Sequence, residues 1–244
     1  MQHKLIKKIL HPLGLDKVGK FLLDYGLFEK KDYRSTLFNQ EVASFLIRRY
    51  YGYHGHQTNS KTANLGYGFL HYSYINLLKP ERVLCVGSLK GFIPALCALA
   101  CKDNHKGTVD FVDAGFAADD ENDWGGQGVW QNCNPNQYFK PFGINQHLKL
   151  HVMTSAEFAQ KFEDRKFEYI YIDADHSYEG VKKDYQTFWP RLTSGGMISF
   201  HDINMKGLHH GQEFGVWKLW QELENKNKFS FINGHDSVGF IQKD

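Results

Sequence analysis

No stretch of the chain reaches the roughly 18 consecutive apolar residues that a membrane-spanning helix needs, so no helical span is expected. The N-terminus, MQHKLIKKILHPLGL, is basic. It lacks a central apolar run followed by a small-residue cleavage site, so it does not read as a signal peptide. Cysteine is scarce, at four residues with no paired CxxC. That argues against a zinc ribbon and against a disulfide framework, and it suits a reducing, cytoplasmic setting. Cys97 and Cys101 lie four apart in an apolar run and read as buried small hydrophobes. Charge of one sign is also lacking: 29 basic against 27 acidic residues leave a formal net charge of +2. Nothing in that balance draws the chain toward nucleic acid or an anionic membrane. There is no internal repeat.

What is present is ordinary globular usage, 42% hydrophobic and 23% charged over 244 residues. This is enough for a packed core and for one large domain, or one domain with an extension. Residues 1–60 read as helical. Leu5, Ile6, Ile9 and Leu10 suit a short amphipathic helix docked on the domain, and residues 18–25 and 39–51 give two more helices. In the last of these Val42, Phe45, Leu46 and Tyr50 keep a helical period. A polar turn, GYHGHQTNS, follows.

From about Leu65 the pattern alternates between strands and helices. Strands are expected at 81–86, 108–112, 147–153, 167–172 and 197–200. Helices are expected at 92–100, 176–189 and 216–223. Two closing strands at 228–232 and 237–241 flank Asn233-Gly234, a hairpin signal. Alternation implies a mostly parallel sheet covered on both faces, and the closing pair implies an antiparallel edge. The segment 114–146, rich in Gly, Asn, Asp and aromatics, is long for a plain connection. It reads as a partly helical crossover or a functional loop. Tyr51, Tyr53, Tyr67, Tyr72 and Tyr74 read as core or interface aromatics, and Trp217 and Trp220 as core.

Three features carry chemistry. Gly87-Ser88-Leu89-Lys90-Gly91 joins a strand to a helix, where glycines let backbone approach a ligand and the helix start offers free N–H groups. Asp113 ends the second strand, where a carboxylate can accept hydrogen bonds from ribose hydroxyls. Tyr171-Ile172-Asp173-Ala174-Asp175-His176-Ser177-Tyr178-Glu179-Gly180-Val181 ends the fourth strand, and Gly195-Gly196-Met197-Ile198-Ser199-Phe200-His201-Asp202-Ile203 forms the fifth. Neighbouring parallel strands deliver their C-terminal ends to one rim, so Asp173, His201 and Asp202 are expected to meet there.

These two motifs together resemble the Methyltransferase_24 family of class I methyltransferases. More remotely, they resemble macrocin-type sugar O-methyltransferases, cephalosporin hydroxylase family proteins and catechol O-methyltransferase. The resemblance covers roughly residues 70–240. It implies a Rossmann-like α/β fold with a seven-stranded, mostly parallel sheet and an antiparallel C-terminal hairpin. Residues 65–244 would be a domain binding S-adenosylmethionine (SAM), with 1–64 as a helical extension or lid. The SAM site would be built from Gly87, Ser88, Gly91, Asp113, Ser155 and Asp173, with Ser155 near adenine. In metal-dependent relatives the matching positions hold a divalent ion, here Asp173, His201 and Asp202. A histidine three residues after the first ligand serves as base in some sugar enzymes, here His176. A ligand set containing histidine suits Mn²⁺, Fe²⁺ or Zn²⁺ at least as well as Mg²⁺. Asp175 either orients His176 or caps the following helix, and Ser155 is also a candidate helix cap.

The implied activity is O-methylation of a small hydroxylated acceptor such as a sugar or natural product. Losing a hydroxyl proton favours a base near neutral pKa, and a cation stabilises the forming alkoxide. Two other readings stay open. Cys85 stands where such enzymes often carry an acidic residue, which favours a fold that has lost catalysis and serves as a scaffold. A histidine-containing metal site also fits an oxygenase-type relative. No Asn/Asp-Pro-Pro-Tyr motif points to nucleic-acid bases. The aromatic N-terminal segment fits a homodimer interface or a lid equally well. Most of the 13 histidines read as structural, among them His54, His56 and His71, while His209 and His210 follow the fifth strand near the acceptor side.

Overall fold

Three nearly continuous apolar runs, β1 (Arg82–Val86), β2 (Thr108–Asp113) and β4 (Phe167–Ile172), form the middle of a sheet. Their residues are buried on both faces, as parallel strands under helices must be. The sheet has seven strands in the order β3-β2-β1-β4-β5-β9-β8, with β3 (Leu148–Val152), β5 (Leu192–His201), β8 (Lys228–Asn233) and β9 (Asp236–Gln242). β1 to β5 run parallel. β9 is antiparallel to β5, and β8 to β9. This is the expected Rossmann-like methyltransferase fold with its antiparallel hairpin edge. The computed structural model describes residues 40–116, 128–209 and 211–244. The helices expected near residues 5–10 and at 18–25, residues 117–127 of the long segment, and His210 lie outside the described residues.

Helices are α1 (Gln40–Arg49), α2 (Tyr67–Leu78), α3 (Phe92–Asp103), a single turn α4 (Pro135–Tyr138), α5 (Ser155–Lys161), α6 (Tyr178–Phe188) and α7 (Val216–Glu222). A two-stranded ribbon, β6 (Leu208–His209) and β7 (Gln212–Glu213), follows β5. Successive strand residues point to opposite faces. Val86, Val112, Ile170 and Phe200 join Phe158, Val181 and Leu219 of α5, α6 and α7 in one core. Tyr169 and Tyr171 face the other way, toward His71 of α2, and Cys85 meets Cys97 of α3. Every residue from Phe92 to Cys101 is buried, as befits a helix apolar on all sides. Each large side chain fully buried this way stabilises by roughly 1.5–3 kcal/mol.

Differences from expectation have local causes. Helix α2 was read only as a string of aromatics. It starts after Gly66 and ends at Lys79 in the left-handed conformation, because Pro80 follows. β5 begins at Leu192, five residues before the expected start, because an irregularity opposite Phe167/Tyr169 lets pairing continue through Gly195-Gly196. α6 starts at Tyr178 because Ser177 caps it, its hydroxyl accepting from Gly180 N. Trp220 is core, but Trp217 is half-exposed under Lys206 and Lys218.

Candidate active site at the rim of the sheet

A cavity of about 960 Å³ opens at the C-terminal ends of the strands. Gly87, Ser88, Asp113, Ser155, Asp173, His176, His201 and Asp202 all line it. Gly91, expected in the same loop, does not. It is the left-handed N-cap residue of α3, where a Cβ would press on Phe111 and Phe139 at 3.3 Å. Gly87 is fixed more severely. At φ 71° its missing Cβ would sit 2.2 Å from the Asp173 carbonyl oxygen, so the loops after β1 and β4 touch only because this residue has no side chain. Gly87 N donates to Val112 O at 2.8 Å, and Asp173 N donates to Val86 O at 2.8 Å. The Ser88 hydroxyl is buried at this loop and makes no hydrogen bond among the described residues. A buried polar atom of that kind is costly unless a ligand completes it.

Asp113 ends β2, and its Oδ1 accepts from Gly115 N at 2.8 Å. Burial pushes its carboxyl up to about 6, with the Asp173 charge adding to the rise and the Gly115 N–H opposing it. At the end of β3, Thr154 is the N-cap of α5 in a reciprocal capping box with Glu157. Ser155 is therefore the first helical residue and not the cap. Its hydroxyl donates to Asp184 Oδ1 at 2.6 Å. Asp175 accepts from Ser177 N at 2.8 Å, which orders the turn before α6, while Ser177 itself does the capping. The capping role left open for Asp175 therefore belongs to Ser177, two residues on.

The ends of β4 and β5 meet in a buried group of two carboxylates and two imidazoles. His176 Nε2 lies 3.2 Å from Asp173 Oδ1, and His176 Nδ1 3.1 Å from Asp202 Oδ2. His201 Nδ1 lies 3.1 Å from Asp173 Oδ1 and 3.4 Å from Asp202 Oδ1. Tyr171 donates its hydroxyl to Asp173 Oδ2 at 2.8 Å. Asp202 has φ 56°, a left-handed conformation that costs a non-glycine residue about 1–3 kcal/mol and clusters at functional sites. Burial disfavours the charged form of His176, but hydrogen bonds to Asp173 and Asp202 outweigh it and lift the imidazole to about 9. Burial likewise opposes ionisation of Asp202, yet the His201 charge and its imidazole neighbours hold its carboxyl well below the usual range.

His201 Nε2 donates to Gly55 O at 3.1 Å, leaving Nδ1 toward the carboxylates. A metal-binding histidine is commonly oriented by such a backbone carbonyl. Ligand atoms of Asp173, His176 and His201 come within 4.8 Å of one another. That trio exchanges His176 for the Asp202 of the sequence-based set, although Asp202 contacts both imidazoles.

Three members of this site were missed from sequence. His56 is 5% exposed, lines the cavity, and packs against His201 with ring centroids 4.5 Å apart and the rings tilted by 48°. Its Nδ1 makes no hydrogen bond among the described residues, and burial together with the His201 charge drives its pKa down to about 3. Nothing in the local pattern of GYHGHQTNS marks it, since only tertiary packing brings that loop to the rim. Gly55 was missed for the same reason. Tyr171, by contrast, was legible: it lies two residues before Asp173 on a strand, hence on the same face. Cys85 is fully buried and does not line the cavity.

The β3-β2-β1-β4-β5-β9-β8 sheet with its rim cavity defines a class I methyltransferase fold. Residues 84–203 match the Methyltransf_24 family, described as a methyltransferase domain. A stretch of 150 residues is 26% identical to the uncharacterized protein y4gI of Sinorhizobium fredii, covering 61% of this chain and 16% of that protein. The chain thus spans only a small part of this relative's length. Among solved structures, the O-methyltransferase from Bacillus cereus in complex with SAH (S-adenosylhomocysteine) superposes with a TM-score of 0.57 at 13% identity, covering 93% of this chain and 97% of that one. The Podospora anserina methyltransferase PaMTH1, SAH-bound, gives 0.55 at 14% over 94% and 96%. The Streptomyces achromogenes O-methyltransferase TomG, in complex with SAM and involved in tomaymycin synthesis, gives 0.54 at 11% over 92% and 96%. At such identities these structures share the fold. No described helix is long and apolar enough to cross a membrane.

Proposed function

We propose that this chain transfers the methyl group of SAM to a hydroxyl oxygen of a small acceptor, a sugar or natural product. The observation that carries the reading is one continuous cavity. It joins the Gly87 loop and Asp113 at one side to Asp173, His176, His201 and Asp202 at the other. Its volume of about 960 Å³ lies near the upper end of the range typical for small-ligand sites. The chain's groups suit SAM. The cradle without a Cβ at Gly87 admits close backbone approach, the Ser88 hydroxyl, without a hydrogen bond among the described residues, offers a polar contact for the amino-acid end, and the cavity-lining Asp113 carboxylate suits ribose hydroxyls. Cys85, the departure from the usual acidic residue, is spent on packing against Cys97.

The chemistry follows from the remaining residues. SAM supplies a methyl group on a sulfonium, open to in-line displacement by an oxygen nucleophile. Asp173, His201 and Asp202 fit a divalent cation: their donors are buried and convergent, the Gly55 carbonyl orients His201, and Asp202 Oδ1 makes no hydrogen bond among the described residues. Held by these residues, a divalent cation would supply positive charge against the forming alkoxide and compete with His176 for the two carboxylates. His176 is the general base that would accept the acceptor's proton once its own hold on those carboxylates is relieved. Tyr51, His54, Gly55 and His56 line the cavity on the His201 side, which supports a lid role for this part of residues 1–64. The one imidazole among the cation's ligands, His201, suits Mn²⁺ or Fe²⁺ at least as well as Mg²⁺. It also keeps an iron-dependent oxygenase-type reading as the second choice. Buried thiols at Cys85, Cys97 and Cys101 suit the reducing cytoplasm.

Titration calorimetry with SAM and SAH, with and without Mn²⁺, Fe²⁺ or Mg²⁺, tests the proposal. SAM binding abolished by Asp113→Ala, with a metal event lost in Asp202→Ala, is the expected result. Failure to bind SAM under any condition refutes it and leaves the scaffold reading.

A further inference from the structure

The sheet ends at β8, yet β8 is built like an inner strand. Among the described residues it pairs with β9 on one side and with no strand on the other. Edge strands are ordinarily kept from pairing by proline, charge or a bulge. Lys228-Phe229-Ser230-Phe231-Ile232-Asn233 has no proline and one charge, and its register with β9 runs without a shift. That charge is turned away from the edge: Lys228 Nζ donates to the carbonyls of Trp220 and Leu223, the latter at 2.8 Å. Phe229, Phe231 and Ile232 are 48%, 38% and 54% exposed. Phe229 and Phe231 stand opposite Phe240 and Val238, on the face that α2 covers. Tyr74 of α2 meets Phe240 with ring centroids 4.8 Å apart, and Phe240 meets Phe231 at 6.0 Å. The apolar floor thus runs on to the outer side of α2, where Phe69 and Leu77 are 47% and 77% exposed. At about 200 Å² per large apolar side chain, these five leave roughly 500 Å² in water. That is near the largest patch a monomer usually shows. It is also well over half of the roughly 800 Å² that each partner contributes to a stable interface.

The backbone decides what fits there. Gln242 N donates to Asn227 O at 3.1 Å, and bonding alternates along an antiparallel ladder. Phe229 and Phe231 therefore bond inward to β9, while the N–H and C=O groups of Lys228, Ser230 and Ile232 point to the open edge. We propose that β8 pairs antiparallel with β8 of a second copy of this chain, about a two-fold axis at Ser230. In that register Ser230 opposes its own copy and Lys228 opposes Ile232, each pair exchanging both N–H···O bonds. Phe229 then faces Phe231 of the second copy in a non-hydrogen-bonded pair, where Cα atoms come within about 4.5 Å and side chains meet most closely. The two-fold keeps the same sheet face up in both copies. Their α2 helices lie over β9 strands three strand spacings apart, about 14 Å, and the phenylalanine pairs fill the valley between them. A self-complementary patch is what a two-fold dimer requires, and an unrelated strand would satisfy the backbone without matching the phenylalanines. This surface is distinct from the aromatic N-terminal segment that the sequence suggested for a dimer.

Sedimentation of the full chain over a micromolar concentration series tests the proposal, with a dimer expected. Ser230→Pro removes an edge-facing N–H and leaves the β9 ladder intact, and Phe229→Lys places a charge in the apolar patch. Each is expected to weaken the dimer about 30-fold or more while thermal unfolding stays cooperative. A wild type that remains monomeric across the series overturns the proposal without any variant. A dimer that survives both variants lies on another surface and overturns it as well. Where either variant unfolds, hydrogen exchange of the wild type decides. Amides of Lys228, Ser230 and Ile232 that slow as concentration rises support the pairing, and exchange of all three that ignores concentration overturns it. None of these readouts involves the cofactor, so failure here leaves the SAM reading standing.

Discussion

Replacing Asp113 by Asn is expected to move cofactor affinity and apo stability in opposite directions. In the native apo protein the carboxyl sits at about 6 against an ordinary value of 3.8. The protein therefore binds more protons folded than unfolded between those values, and the group takes stability away as pH rises from 3.8 through about 6. At pH 7.5 the penalty is roughly two pKa units, or about 3 kcal/mol at most. Asparagine cannot ionise and keeps an oxygen for Gly115 N, so the variant apo protein gains about 1–2 kcal/mol, or about 2–8 °C in Tm for a chain of this size. Below about pH 4 the difference vanishes. Cofactor binding goes the other way. The loss of charge-assisted bonds to two ribose hydroxyls weakens SAH by about 10- to 100-fold.

In wild type, SAH affinity falls as pH drops below about 6, by roughly tenfold at pH 5 for protonation of Asp113 alone. Asp184 titrates in the same window, so the slope in Asp113→Asn is expected to be shallower by about one proton without reaching zero. Differential scanning calorimetry of the apo protein, paired with isothermal titration of SAH between pH 5 and 8, checks both signs. A variant that loses stability and affinity together would refute the reasoning, because Asp113 would then be a structural anchor with no cost to relieve.

Asp110, by contrast, is stabilising. Its carboxyl is 2.7 Å from His151 Nε2 and 2.8 Å from Arg165 Nη1, and although burial opposes ionisation these partners hold its pKa below 3.8. Asp110→Asn is expected to cost about 2–4 kcal/mol in urea melts, discounted because Arg165 is partly exposed, with SAH affinity little changed. The wild-type advantage is present above pH 3.8 and lost as pH falls through the depressed native value. Gly55→Ala would drive a methyl group to 2.5 Å from His201 Cε1. We expect at least tenfold weaker Mn²⁺ binding by electron paramagnetic resonance while SAH binding survives, and unchanged Mn²⁺ affinity would argue against the His201 ligand. His56→Ala leaves the metal donors in place but opens the wall beside His201. The expected change is confined to acceptor-dependent turnover, with SAH and Mn²⁺ affinities within about threefold of wild type, and a larger loss of Mn²⁺ would make His56 a ligand.

Much of the site was legible because strand ends are legible. Phe167–Ile172 and the GGMISFHDI run end in polar residues after buried stretches, and parallel neighbours must deliver those residues to one rim. Asp173, His201 and Asp202 do meet there. What failed was register and capping. Ser155 was read as the cap because Thr154 and Ser155 are chemically alike, and the choice between them depends on backbone angles. Gly91 was grouped with Gly87 because both flank the same turn, although only Gly87 faces the cavity. Helix α2 escaped because its aromatics surround it on several sides, which erases periodicity.

The sequence by itself determined the strand order class, the glycine turn, the place of Asp113 at the end of β2 and the acid–histidine motifs, since each follows from short-range pattern and the handedness of parallel connections. Only the tertiary structure decided that His56 and Gly55, more than a hundred residues before His201, close over the cluster. It alone decided that Cys85 packs against Cys97, and that Asp184 of α6 reaches Ser155 of α5. Those contacts join segments whose local patterns are indifferent to one another, and packing two helices and a loop onto one sheet edge is what selects them.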